Sequence, residues 1–484
     1  MPLIEFKALD YCADQRFASA QYRFDGDVDH GWQVWRDEVL ALELGPGYRL
    51  LRARQCGVCS TDLARHHLPF PLPQVIGHEV LAVDEAGRRY VVEINASHEA
   101  RGVESDCAFC REGLPTHCPD RLVLGIHDLP GGFGPWILAP EASCLEIPEN
   151  VPDSAAVLVE PFAAALHAVS TVAPVEGDKV AVLGPRRLGM LVVAALAGVR
   201  TRDRVPSGSF EVIAVARDPA MLSLARSFGA TAAYGNSSSD ARIDDEAFDV
   251  VVDTTGSPAG LTDAVRMARR EVHLKSTHGQ MACGLRHLTE LVVDELSIER
   301  FSVHPPSTKD QIWSGSPGRR RPRVAWLAEA APPAWLLEMV DLRAGGAREL
   351  ADHFAAASSG LPRADVAVID SIAQVDAVVR PRPESEEALI RPRGVIYAHP
   401  STDVAGSDLL AAVVGRGLRL SSSRCGDFRK ALELLASDED LRRIGERLVT
   451  HHFESDDLMK AFEVAGSRAC VKAVVTHDED GGWS

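Results

Sequence analysis

The chain runs to 484 residues, more than one ordinary domain holds, so two or three are expected. With 46% apolar and 25% charged residues it has the balance of a folded globular protein, which excludes disordered and fibrous classes. A net charge of −18 repels phosphate backbones and argues against nucleic acid as a partner. No apolar run approaches the ~18 residues that a membrane span needs, so no membrane partner is expected. The opening MPLIEFKALDYCADQ carries acids early and lacks the basic and apolar regions of a secretory leader. A cytoplasmic address is the expectation. Ten cysteines are too few for a disulfide scaffold, and in a reducing compartment closely spaced ones point to metal or catalysis.

Residues 1–155 mix short apolar runs with Gly and Pro, the pattern of strands and turns, and carry the clustered Cys and His. From Val157 the texture changes, and LVEPFAAALHAVSTV has the three- and four-residue apolar spacing of a helix. KVAVL then reads as a strand, GPRRLG as a turn and the next apolar stretch as a helix. EVIAVAR, FDVVVDTTGS and EVHLKSTHG read as further strands with helices between. This alternation predicts an α/β fold with a doubly wound parallel sheet beside the β-rich domain.

Residues 305–323, PPSTKDQIWSGSPGRRRPR, break the pattern and read as a linker or exposed loop. Beyond it comes an echo. RADVAVIDSIAQVDAVVRP, RPRGVIYAHPST and GRGLRLSSSRCG repeat the order and texture of FDVVVDTTGSPAGLTDAVR, EVHLKSTHG and DELSIERFS. An insertion over 305–415 is therefore expected, either a partly duplicated half of the nucleotide-type sheet or α/β segments alike only in composition. The expected domains are 1–155 completed by 445–484, and 156–304 completed by 416–444.

Cys59, His78 and Glu160 offer a thiolate, an imidazole and a carboxylate, all competent zinc ligands, and three ligands leave a fourth position open for catalysis. Their contexts are CGVCSTD, GHE and EPFAAALHA. In these the chain resembles the zinc-dependent medium-chain dehydrogenase/reductase family of alcohol, sorbitol and threonine dehydrogenases, over roughly residues 30–303 and 415–475. The resemblance implies a GroES-like catalytic domain and a Rossmann cofactor domain. It assigns Cys59, His78 and Glu160 to a catalytic zinc, with Glu79 either behind the metal or swung in as a ligand. It assigns Asp62 to the other ring nitrogen of His78, and Thr61 to the substrate oxygen and its proton. The family's relay histidine falls at Ala64, which cannot carry a proton; His66 or His67 could substitute.

CAFCREGLPTHC places Cys107 and Cys110 in a C-x2-C turn with Cys118 eight residues on, a strong metal signal. It resembles the family's four-cysteine structural-zinc lobe, but Glu104 stands where the first cysteine is expected. Glu104, Asp106 and His98 are the candidates for the fourth ligand.

In GPRRLG, Gly184 and Gly189 match the outer glycines of a dinucleotide fingerprint, while Arg186 replaces the middle one and would crowd a diphosphate unless it folds away. At the end of the second strand stand Ala216 and Arg217, where an acid would take a ribose 2′-hydroxyl, with Asp218 the competing acid. A guanidinium there favours a 2′-phosphate, hence NADP over NAD. Thr255 and Gly256 fall at the carboxyl end of a strand, where cofactors lie. By resemblance Lys472 sits near the pyrophosphate.

The expected function is a zinc- and NAD(P)-dependent oxidoreductase moving hydride between an alcohol or polyol, or the matching carbonyl, and the nicotinamide. The resemblance further implies a homo-oligomer, dimer or tetramer, through the cofactor domain, an interface the insertion could cap. The rival expectation is a catalytically degenerate homologue that serves as a binding or scaffold protein.

Overall fold

The computed structural model describes residues 3–68, 70–202, 209–235, 242–276, 279–305, 321–356, 360–385 and 387–478. Most of the expected linker, with two of its three clustered arginines, lies outside the described residues. The chain divides into two compact units, Met1–Ala163 with Cys425–Ser484, and Ala164–Arg424. Residues 425–444, expected with the cofactor domain, thus go with the first unit. There Asn150 donates to the Ala436 carbonyl at 2.7 Å.

The first unit opens with an antiparallel four-stranded meander of β1 (Leu3–Tyr11), β2 (Phe17–Asp27), β3 (Gly31–Arg36) and β4 (Val39–Leu44). Ile4, Phe6 and Ala8 alternate inward along β1, the period of two that a half-buried strand requires. The main sheet comprises β5 (Tyr48–Gly57), β6 (Glu79–Val83), β7 (Arg89–Val92), β10 (Trp136–Pro140) and β11 (Cys144–Glu146). It is completed by β23 (Val449–Glu454) and β24 (Lys472–Thr476) from the end of the chain. Its order is β11-β7-β6-β5-β24-β23, with β10 also on β5. A small pair, β8 (Asn95–Ala96) and β9 (Leu122–Val123), brackets the cysteine-rich segment.

The second unit is built on one eleven-stranded sheet. In chain order its strands are β12 (Lys179–Leu183), β13 (Glu211–Ala216), β14 (Ala232–Gly235), β15 (Phe248–Asp253), β16 (Ala268–Leu274) and β17 (Ser297–Arg300). Then follow β18 (Arg323–Trp326), β19 (Asp341–Ala344), β20 (Ala364–Ser371), β21 (Ile390–Asp403) and β22 (Arg419–Ser422). The spatial order is β14-β13-β12-β15-β16-β22-β17-β21-β20-β18-β19. The first six places reproduce the 3-2-1-4-5-6 order of a dinucleotide-binding sheet, with β22 in the sixth place. The expected insertion therefore extends this sheet: one hydrophobic core runs from Ala181 and Val251 through Ile298 and Leu420 to Ile396 and Phe354. No helix among the described residues is long and apolar enough to cross a membrane.

Candidate functional site

Cys59, at the amino end of a four-residue helix Ser60–Leu63, meets His78 and Glu79 where the chain enters β6. Their ligand atoms lie within 4.8 Å of one another. His78 Nδ1 is 3.2 Å from Asp62 Oδ1, and Asp62 Oδ2 accepts from the Cys59 amide at 2.8 Å. One carboxylate thus faces both ligand residues, the orienting position expected for it. Burial alone would lower the His78 pKa, yet Asp62 and Cys59 hold it well above the ordinary value. A field that negative is one that a dication would satisfy. Thr61 Oγ1 is 3.7 Å from Cys59 Sγ. Glu160 stands in the first turn of helix Val159–Val172, outside the trio. Ala64 is exposed, and the His66 and His67 rings lie 3.8 Å apart, tilted by 46°, with Tyr11 Oη 3.4 Å from His66 Nδ1.

Lys472, expected beside a pyrophosphate, is buried within the first unit. Its ammonium donates to Glu79 Oε2 and, at 3.1 Å, to the Val58 carbonyl. Burial opposes its charge, but Glu79 and Cys59 overrule that and raise its pKa. Gly57 makes room for this pair: a Cβ there would strike Glu79 Oε2 and come within 2.9 Å of Lys472 Cε.

The second cluster joins His98, Cys107, Cys110 and Cys118, again within 4.8 Å. His98 Nδ1 lies 3.2 Å from Cys118 Sγ and 3.8 Å from Cys110 Sγ, and Cys107 Sγ is 4.0 Å from Cys118 Sγ. Of the three candidates for the fourth ligand, His98 is brought in, while Glu104 and Asp106 are exposed outside the cluster. The cysteines are free thiols. Burial first, then crowding by Cys118 and Cys107, pushes the Cys110 thiol up to about 12. A dication relieves such crowding by taking the thiolates as ligands.

In the second unit the turn after β12 packs tightly against the residues that follow β15. Gly184 has φ +71°, and a Cβ on it would approach Thr255 Cγ2 to 2.6 Å; one on Gly189 would approach Thr254 Oγ1 to 2.5 Å. Helix Arg187–Arg202 starts directly from this turn. These features fit a dinucleotide phosphate site. Arg186 is half-buried at the middle position. Ala216 is buried at the end of β13 and Arg217 exposed, while Asp218 caps helix Pro219–Ser227 by accepting from the Ala220 amide at 2.9 Å. Thr255 donates through its amide and hydroxyl to Asp253 Oδ1, at 2.9 and 2.7 Å, and Gly256 has φ +59°.

Two features here escaped the sequence reading. Asp253 is buried with Oδ2 unpartnered, and burial raises its pKa to about 6 despite the Thr255 bonds. A chain of hydrogen bonds also runs across β16 and β22. Lys275 donates to Ser423 Oγ at 3.0 Å, and Ser423 Oγ lies 2.9 Å from His273 Nε2. His273 Nδ1 lies 2.8 Å from Ser421 Oγ, which donates to Glu271 at 2.5 Å. Burial and the Lys275 charge keep His273 neutral. A neutral ring has one donor and one acceptor, which gives the chain a single direction from ammonium to carboxylate. The sequence signal was the Lys and His within EVHLKSTHG, a segment read only as a strand.

Residues 45–149 match the Alcohol dehydrogenase GroES-like domain family. L-threonine 3-dehydrogenase of Aeromonas salmonicida (strain A449) is 28% identical over 249 residues, covering 48% of this chain and 70% of the relative. That of Rhizobium rhizogenes is 30% identical over 209 residues, covering 40% and 57%. A short chain alcohol dehydrogenase from Escherichia coli CFT073, complexed with NADH, superposes with a TM-score of 0.57 at 17% identity, over 98% of this chain and 99% of that one. A zinc-binding dehydrogenase from Sinorhizobium meliloti 1021, bound to NADP, superposes with a TM-score of 0.53 at 18% identity, over 98% and 99%. At these identities the solved structures speak for the fold. The fold and site define an alcohol dehydrogenase-like oxidoreductase with a GroES-like unit and a doubly wound nucleotide unit. In these matches the chain is similar to the medium-chain dehydrogenases/reductases.

Two variants probe this geometry. Gly57→Ala should destabilise the protein by about 2–4 kcal/mol, because a buried ion pair has nowhere to move; urea unfolding measures it. Asp253→Asn should do the reverse. The folded pKa lies above the ordinary carboxylate value, so the acid's favourable contribution is present at low pH and lost as pH rises through about 6. The variant should gain roughly 1–3 kcal/mol at pH 8 and about half that at pH 5, read from unfolding at both pH values.

Proposed function

We propose that the chain is a zinc-dependent oxidoreductase that transfers hydride between an alcohol or polyol, or the corresponding carbonyl, and NAD(P), with NADP preferred. The observation that carries this reading is the buried cluster of Cys59, His78 and Glu79 in a GroES-like unit. When bound, zinc supplies Lewis acidity toward the substrate oxygen, and the nicotinamide gives or takes hydride. Cys59 and His78 are the ligands this reading assigns, with a carboxylate third. Glu160 is the expected carboxylate, and Glu79 is favoured by its place in the trio. Asp62 orients His78. Thr61 Oγ1 accepts the substrate hydroxyl proton and passes its own to solvent, since Ala64 cannot relay it. His98, Cys107, Cys110 and Cys118 hold a second, structural zinc. The degenerate-scaffold reading is disfavoured by two intact metal-competent clusters in one unit.

For the cofactor, Gly184 and Gly189 let the glycine turn and its helix pack closely on Thr254 and Thr255 at the strand end, beside Gly256, the close approach a dinucleotide turn requires. Arg217 would meet a 2′-phosphate, and Asp218, committed to its helix cap, does not compete for a ribose hydroxyl. A cytoplasmic location is part of this proposal.

Metal analysis tests the reading. Wild type should carry two zinc ions per chain, Cys59→Ser one, and His98→Ala one with a lowered melting temperature. Wild type with one zinc per chain that Cys59→Ser does not remove would sink the catalytic site. Arg217→Glu should weaken NADP binding by about tenfold or more and leave NAD binding less affected, measured by nucleotide fluorescence titration.

A further inference from the structure

The order of the eleven-stranded sheet reads nearly the same from both sides of its centre. On one side β22 is followed by β16, β15, β12, β13 and β14; on the other β17 is followed by β21, β20, β18 and β19. Neighbours within each half are parallel. The halves meet in one antiparallel pairing, Ile298 with Leu420.

The correspondence extends to single bonds. Asp249 Oδ2 accepts from the Lys179 amide at 2.9 Å, and Asp365 Oδ2 accepts from the Arg323 amide at 2.7 Å. In both halves the aspartate is the second residue of its strand, and the donor opens the neighbouring one. The other oxygen of each takes an arginine from the next strand: Arg269 at 2.7 Å, Arg391 at 3.2 Å. Glu211 donates to Asp178 and Asp341 to Pro322, each at 2.8 Å. The ladders break register at the same place, between Phe248 and Val250 and between Ala364 and Val366. Gly284 (φ +87°) and Gly406 (φ +79°) precede Ile298 and Leu420 by the same number of residues, as do Glu295 (φ +53°) and Gly417 (φ +74°). Ile298 and Leu420 are thus equivalent positions that pair with each other, the signature of a two-fold axis at an isologous contact.

We infer that the nucleotide unit is an internal pseudo-dimer: β18–β21 form a second, incomplete copy of β12–β16, and the two copies have exchanged their sixth strands, β17 joining β21 and β22 joining β16. The chain carries its own partner at this sheet edge, so a second chain has no open strand to pair with there. The second copy is also no nucleotide site. Its first turn, Leu327–Pro333, has no glycine, and the helix after it, Ala334–Met339, has six residues against sixteen in the first copy. Trp326 closes that turn by donating to the Ala330 carbonyl at 2.8 Å, and Phe301 packs edge-on against it at 5.5 Å between ring centroids. One dinucleotide per chain follows, a consequence that rests on the cofactor reading above.

The test is an isotope-mixed cross-link. Full-length Ile298→Cys/Leu420→Cys protein, labelled and unlabelled, is unfolded together, refolded and oxidised, and the linked peptides are read by mass spectrometry. Links within one isotope only are expected, whatever the oligomeric state. Mixed-isotope links would show the strands exchanged between chains and overturn the inference. If the buried pair prevents folding, Ser297→Cys/Ser421→Cys, one register step away, gives the same readout. Titration of wild type with NADPH should saturate at one per chain. Two per chain would overturn the plugged second copy. No binding would instead sink the cofactor reading, with the two-fold decided by the cross-link.

Discussion

The first unit depends on one buried ion pair. Lys472, on the last strand of the chain, reaches Glu79 through the gap that Gly57 leaves in the strand between them. A buried charge persists only when it is paired and hydrogen-bonded, so three segments that are distant in sequence are forced into one arrangement. That arrangement sets Glu79 beside His78, and His78 beside Cys59 and Asp62. The negative potential of the trio and the positive charge behind it are two sides of the same constraint.

The cysteine lobe and the Cys59–His78–Glu79 trio answer the same problem differently. The lobe collects its ligands from one short stretch, His98 to Cys118, with two of them in a tight C-x2-C turn. Its metal chemistry is therefore local. The trio needs β5, β6 and β24 to be in register before any ligand meets another. Damage to the main sheet should be felt first at the trio.

Much of this was written in local pattern. The alternation of strands and helices, the C-x2-C spacing, the outer glycines of the phosphate turn and the echo after the linker are all carried by neighbouring residues. The place of His98 beside the lobe thiols was not, because it reaches them only after β8 and β9 pair and turn the segment back. Nor was the burial of Lys472, since lysines are usually solvated and the strand around it looks ordinary. The division at Arg424 and Cys425 also escaped, because the helix Phe428–Ser437 is amphipathic in either setting.

The elements, Cys59 with His78, the three lobe cysteines and the glycine-bearing turn after β12 were legible in the sequence, since propensity, spacing and turn chemistry act over a few residues. The echo after the linker was legible too, but only as a texture that duplication and likeness of composition share. Only the tertiary structure decided that the repeat joins the same sheet, that the sixth strands change places, and that Ile298 and Leu420 meet at a two-fold centre. The choice lies in long-range contacts that no stretch of sequence displays: Ser421 of β22 reaches His273 and Glu271 of β16, where β17 carries Glu299.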